Sequence, residues 1–228
     1  MSVHSLDRPV WGALTSRQAD FSEGGALARR YRPGIIPFAA TGSDDSDSLK
    51  ALADLLHDDD ETLIMAQADA IILPPRSAAT LTARVVQMVA DRPLSQPADG
   101  KIERLSEKDA QEMLDLAVLT KPGPFSLRAG ELGEFWGIKR NGKLVAMAGE
   151  RMKQDGFSEL SGVCSHPDAR GQGFGRLLSI FVTSRIQARG DTPFLHAWET
   201  NHAAINLYES ISFRLRTTLN LAVIKRQR

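Results

Sequence analysis

VCSHPDARGQGFGRLL, residues 163–178, passes from an apolar stretch through three glycines in five positions into an amphipathic one. The preceding run FSELSGVCS (157–165) has the apolar content of a strand. The following FGRLLSIFVTSRIQARG (174–190) places Phe174, Leu177, Leu178, Phe181 and Val182 on one helical stripe, closed by Gly190. A strand that enters a glycine-rich turn and then a helix gathers unpaired backbone N–H groups at the positive end of the helix dipole, and that arrangement receives an anion. Glycine suits such a turn because a Cβ would hold a bulky phosphate off the main chain, and because the turn can require positive φ. The plain alternative, a tight connection and nothing more, fits an isolated glycine pair better than alternating glycines flanked by Arg170 and Arg176.

Two phosphate-binding patterns fail here. A nucleotide phosphate loop needs lysine and then serine or threonine directly after its glycines, where this chain has Phe174, Gly175 and Arg176. A dinucleotide fingerprint counted from Gly171 and Gly173 needs glycine at the position of Arg176.

Outward from this stretch, the second half reads as alternating strands and helices. KIERLS (101–106) predicts a strand, and SEKDAQEMLDLAVL (106–119) a helix capped by Ser106 and Asp109, with Met113, Leu114, Ala117 and Val118 on one face. EFWGIKRNGKLVAMAGERM (134–152) predicts a hairpin turning at Asn141 and Gly142. PFLHAWE (193–199) reads as a strand, NHAAINLYESI (201–211) as a helix, and FRLRTTLNLAVIK (213–225) as a strand or hairpin.

In the first half, SDSLKALADLL (46–56) predicts a helix behind Asp47 and Ser48. ETLIMAQ (61–67) and DAIIL (69–73) predict short strands ended by Pro74 and Pro75, and TLTARVVQMVA (80–90) fits either period. The acidic runs 44–47 and 58–61 lack the ligand pattern of a calcium loop and read as solvated helix ends. DRPLSQPADGK (91–101) has the prolines and polarity of a linker. The expected fold class is therefore α+β: a mixed, mostly antiparallel sheet flanked by helices over residues 99–228, preceded by a smaller α/β portion over residues 1–98.

The remaining pattern, Arg170, two residues, Gly173, one residue, Gly175, resembles the pyrophosphate loop of the GNAT superfamily of N-acetyltransferases. NHAAINLYESISF (201–213) resembles that family's helix with asparagine at its start and tyrosine near its end, and the order of elements agrees over residues 101–228. The whole chain is also similar to two-part proteins related to glycine N-acyltransferases, whose N-terminal portion is often a degenerate copy of the second. One departure is Ser212, where the family usually has glycine.

The resemblance implies acetyl-coenzyme A as cosubstrate; the five histidines and one cysteine show none of the usual ligand spacings, so no metal is expected. It implies main-chain contacts from Val163, Cys164 and Ser165 to the pantetheine arm, and N–H groups around Arg170, Gly171, Gln172, Gly173, Phe174, Gly175 and Arg176 on the diphosphate. Asn201 and Asn206 are candidates farther along the arm, Asn201 equally a helix cap. The implied reaction is direct attack of an amine on the thioester. An alkylamine with pKa near ~10 must first lose a proton, and the departing thiolate gains from an acid.

Tyr208 is the candidate acid and Glu159 the candidate base. Glu159 shares the parity of Ser165, and Glu150 is its rival. Cys164 reads as a packed thiol rather than a nucleophile. His196 and Trp198 share a strand face that lines the acceptor pocket or packs.

Composition sets the outer limits. Lysine plus arginine number 28 and aspartate plus glutamate 28, with 13 acidic and 9 basic residues in the first 98, so nothing favours nucleic acid. One cysteine makes no internal disulfide, and no apolar run reaches the length of a membrane span, so the expected location is cytoplasmic. The expected partner is a small amine or amino-acid acceptor, with a protein N-terminus or lysine also open, and no nucleic acid or membrane. The chain would be a monomer or homodimer. A non-catalytic acyl-coenzyme A sensor and a dinucleotide-binding oxidoreductase are the competing readings.

Overall fold

The computed structural model describes residues 4–97 and 100–227. In chain order the elements are α1 (Pro9–Thr15), β1 (Ser22–Gly24), β2 (Ala28–Tyr31), β3 (Ala39–Thr41), α2 (Ser46–Asp54), β4 (Thr62–Gln67), β5 (Ser77–Ala90), β6 (Ile102–Leu105), α3 (Ala110–Thr120), β7 (Phe135–Arg140), β8 (Lys143–Gln154), β9 (Phe157–Ser165), α4 (Phe174–Ala188), β10 (Thr192–Trp198), α5 (His202–Glu209) and β11 (Phe213–Arg226). β1 to β3 form a small antiparallel sheet; the other strands form one sheet of eight in the order β4-β11-β5-β10-β9-β8-β7-β6. Every neighbouring pair in the large sheet is antiparallel except β9 with β10. The expected mixed, mostly antiparallel sheet with flanking helices is what the chain forms.

The expected boundary between residues 98 and 99 lies outside the described residues. The large sheet draws on both sides of it, because β4 and β5 hold β11 between them and β5 also pairs with β10. The ambiguous stretch 80–90 is strand, and 213–226 is one long strand rather than a hairpin, bent by register shifts at Leu215/Thr217 and Val223/Ile224.

Helices cover both faces. α4 packs Leu178, Val182 and Ile186 against Met88, Leu160 and Leu195, all buried. On the other face Val10 and Leu14 of α1 join Tyr31 and Phe194, while Met113 and Ala117 of α3 pack on Phe135 and Met147. The alternation along β8, Ala146 and Ala148 to one core and Met147 to another, is the period-two pattern of a strand covered twice. Among the described residues no helix is long and apolar enough to cross a membrane.

Several local expectations hold and several do not. Asn141 and Gly142 turn the β7–β8 hairpin with φ of 49° and 77°, as a two-residue turn of inverted hand requires. Ser106 and Asp109 form the capping box, around a 3₁₀ turn that feeds α3. The cap of α2 is Asp45 rather than Asp47 or Ser48, since its carboxylate accepts the N–H groups of both (3.0 and 2.8 Å). In α3 the buried residues are Met113, Leu116 and Ala117, whereas Val118 is 65% exposed.

Residues 69–73 form no strand: Asn220 Nδ2 donates to the carbonyls of Ala68 and Asp69, and the chain leaves the sheet edge there. The acidic runs are not wholly solvated. Asp44 pairs with Arg8, and Glu61 pairs with Arg30, which is 3% exposed.

Candidate active site

Where β9 and β10 separate, the sheet opens. The two strands pair in parallel only from Phe157↔Thr192 to Glu159↔Phe194. Beyond that, β9 carries an extra residue opposite β8: Ser161 pairs with Gly149 and Cys164 with Met147. Gly162, at φ +64°, absorbs the bulge, and a Cβ there would stand 2.8 Å from the Phe135 ring. Both the conformation and the space demand glycine.

Past the bulge, His166 N–H donates to the Val145 carbonyl (2.8 Å) and Cys164 pairs with Met147, so strand alternation turns the main-chain groups of Val163 and Ser165 toward the gap. That edge of β9 has no partner strand among the described residues.

The open edge runs into the glycine turn. Gly171 and Gly173 have φ of 74° and 75°, and a Cβ on either would meet nothing within 4 Å, so the space over the turn is vacant of protein. Gly173 is the N-cap of the fifteen-residue α4, with no side chain capping it, leaving the first N–H groups of the helix unclaimed. Gly175, in the first turn, faces the Val163 side chain at 3.9 Å from its notional Cβ. Arg170 and Arg176 are exposed at the ends of the turn, Phe174 is buried beneath it, and Gln172 accepts from Arg140, whose guanidinium lies 5.0 Å from the Phe174 ring. A flexible anion has main-chain donors and positive charge there, and a neighbouring open strand edge to lie along.

Beside the gap is a cavity of about 790 Å³ lined by Val163, His196, Trp198, Asn201 and Tyr208. Its far wall comes from the first half of the chain, including Phe38, Ile64 and Val85, and its rim includes Lys121 and the following Pro122–Pro124 loop. Tyr208, on α5, makes no hydrogen bond through its hydroxyl to any described residue, and burial pushes its phenol above the ordinary range. It holds its proton at neutral pH. Asn201 caps α5 by accepting the Ala204 N–H (3.1 Å) and lines the cavity as well, while Asn206 is exposed and does not line it.

The two carboxylates are placed otherwise than the strand parity suggested, because the bulge at Gly162 reverses the alternation between Glu159 and Ser165. Glu159 is 0% exposed. It takes Arg151 Nε and Nη2 bidentately at 2.9 and 2.6 Å, and its Oε1 lies 2.8 Å from His196 Nδ1. Burial alone would raise its pKa, but the Arg151 guanidinium and the His196 and Arg151 hydrogen bonds overcome this and hold it at about 2. Glu150, 1% exposed, is bound to Arg189 (2.6 Å) and Lys153 (2.8 Å). Neither lines the cavity. Burial raises the Cys164 thiol to about 11, in keeping with a packed cysteine.

Sequence reasoning missed a polar chain threaded through the sheet. Gln87 Nε2 lies 3.0 Å from His196 Nε2 and donates to the Leu6 carbonyl; Gln87 Oε1 accepts from Arg216, and Arg216 Nη2 donates to Asp7 (2.6 Å). With both ring nitrogens engaged, the His196 ring is held in one orientation where it lines the cavity. The one signal available was Arg151 itself, a cation in the apolar run VAMAGERM that had to find a buried partner.

A model of the FR47-like protein family matches residues 135–221, which span the hairpin, the glycine turn, α5 and most of β11. The crystal structure of a GNAT-family protein from Novosphingobium aromaticivorans DSM 12444 superposes with a TM-score of 0.94 at 35% sequence identity, covering 99% of this chain and 100% of that one. A GCN5-related N-acetyltransferase from Kribbella flavida shares the fold (TM-score 0.65, 16% identity, 97% and 96% of the two chains). Mycothiol acetyltransferase of Thermomonospora curvata is 32% identical over 76 residues, 33% of this chain and 26% of that protein, so the match spans about a quarter of that relative's length.

Proposed function

The chain belongs to the GNAT family of acetyltransferases, and from that premise we propose that it transfers an acetyl group from acetyl-coenzyme A to an amine. The observation that carries this reading is the continuity of the open β9 edge with the uncapped start of α4. A long, jointed ligand with amide groups at one end and a diphosphate at the other matches that continuity. Val163 and Ser165 would bind the pantetheine amides in the manner of an added strand, and the turn from Arg170 to Arg176 would hold the diphosphate. Vacant space above Gly171 and Gly173 fits the bulk of such a group.

Bound acetyl-coenzyme A supplies an activated acyl thioester. The protein's own residues do the rest. Tyr208, neutral and facing the cavity, donates a proton to the sulfur that leaves. The cavity walls hold the amine beside the thioester, which lowers the entropic part of the barrier, and the proton the amine loses passes to solvent water at the open side, where Trp198 and Asn201 are exposed. Glu159 acts at a distance, as the anion that fixes Arg151 and the His196 ring.

The test is calorimetric titration of acetyl-coenzyme A into the full chain, followed by thiol release across an amine panel. Micromolar binding and acceptor-dependent thiol release are expected. Absence of binding would end the proposal.

A further inference from the structure

We propose that the acceptor is a free amino acid with an apolar side chain, its carboxylate received by the unpaired edge of the Arg151 guanidinium. This rests on the acetyltransferase reading and adds the substrate class.

A guanidinium has five N–H donors. Glu159 takes one from Nε and one from Nη2 of Arg151, and no described residue accepts from Nη1. Nη1 points at the loop that roofs the cavity, 3.8 Å from where a Cβ on Gly123 would stand. The Arg151 side chain is 13% exposed, with its guanidinium 5.0 Å from the Phe38 ring. Donors left without an acceptor in such a setting favour an oxygen ligand, and a flat carboxylate matches the shape of the free edge.

The cavity's charges point the same way. Lys121, at the rim where α3 ends in a left-handed residue (φ 53°), is a second cation with no partner among the described residues. No aspartate or glutamate lines the cavity. A polyamine or a lysine side chain would bring further positive charge beside Lys121 with no carboxylate on the cavity lining to receive it, whereas an amino acid brings its own anion.

The apolar requirement comes from the aliphatic part of the lining. Ile64, Leu221 and Val223 line the cavity from β4 and β11, with Val85 beside them from β5. An acceptor as small as glycine would leave that wall uncovered.

The experiment compares three probes in the thiol-release assay: L-phenylalanine, phenethylamine, which lacks the carboxylate, and glycine, which lacks the apolar group. kcat/KM for L-phenylalanine should exceed the other two by about tenfold or more, the factor expected of one charge-assisted hydrogen bond. Lys121→Met should raise KM for L-phenylalanine about threefold or more and leave phenethylamine unimpaired, with Lys121→Arg restoring the parent value. Phenethylamine or glycine turned over as well as L-phenylalanine, or an equal loss on both amines in Lys121→Met, would overturn the acceptor assignment while leaving the acetyltransferase reading intact. No acetyl-coenzyme A binding by calorimetry removes both.

Discussion

Glu159 Oε1 and His196 Nδ1 meet at 2.8 Å across β9 and β10, at the point where those strands part. The contact ties the end of the parallel pairing to the floor of the cavity, and Arg151 completes it from β8. Removing the charge exposes its worth. Glu159→Gln leaves Arg151 buried without its counter-ion and should destabilise the fold by about 3 kcal/mol or more, read from urea unfolding at pH 7.

The same carboxylate sets an acid limit. Its folded pKa of about 2 lies below the ordinary glutamate value of 4.5, so its contribution is complete above that unfolded value and is lost as the pH falls toward 2. The loss for this group is about 3 kcal/mol. Unfolding curves between pH 5 and 2 should show it in the parent chain, and Glu159→Gln should flatten that part of the profile.

Tyr208→Phe keeps the ring's packing on Phe213 (centroids 5.9 Å apart) and removes the cavity-facing hydroxyl. kcat should fall about a hundredfold, with acetyl-coenzyme A affinity little changed. Because burial raises this phenol, the parent's kcat should show no alkaline decline near pH 10 that disappears in Tyr208→Phe. A steady-state pH series on both chains checks the two statements together.

Gly173→Ala separates fold from ligand. Its Cβ would touch no protein atom, so the penalty to folding is limited to the left-handed conformation, about 1 kcal/mol. The methyl group would nevertheless stand in the space offered to the diphosphate, and acetyl-coenzyme A affinity should drop by about tenfold or more. Calorimetry beside thermal unfolding distinguishes the two effects.

Ser212 follows α5 at φ +70°, in the left-handed region that glycine occupies freely. Ser212→Gly should therefore raise stability by up to about 1 kcal/mol, measured as a shift in the urea midpoint with the slope unchanged.

The glycine turn, the capping box at Ser106 and the Asn141–Gly142 hairpin were legible because each is a local event: three or four adjacent residues settle the backbone, and their types announce it. The role of Glu159 was not, because it depends on the extra residue at Gly162, which no alternation count detects, and on Arg151, whose pairing is a tertiary fact. The insertion of β11 between β4 and β5 was equally silent: a strand's pattern records which faces are buried, not which neighbours it takes. Asn201 was legible as a helix cap, and only the cavity gives it a second use.

The interleaving of β4, β11 and β5 bears on how the molecule is made. A ribosome delivers β4 and β5 long before the strand that joins them, so nascent chains must wait with two adhesive edges uncovered until β11 emerges. Refolding should consequently be slow for the protein's size, limited by closure over more than a hundred residues of intervening chain, and chaperone dependence during synthesis follows from the same topology.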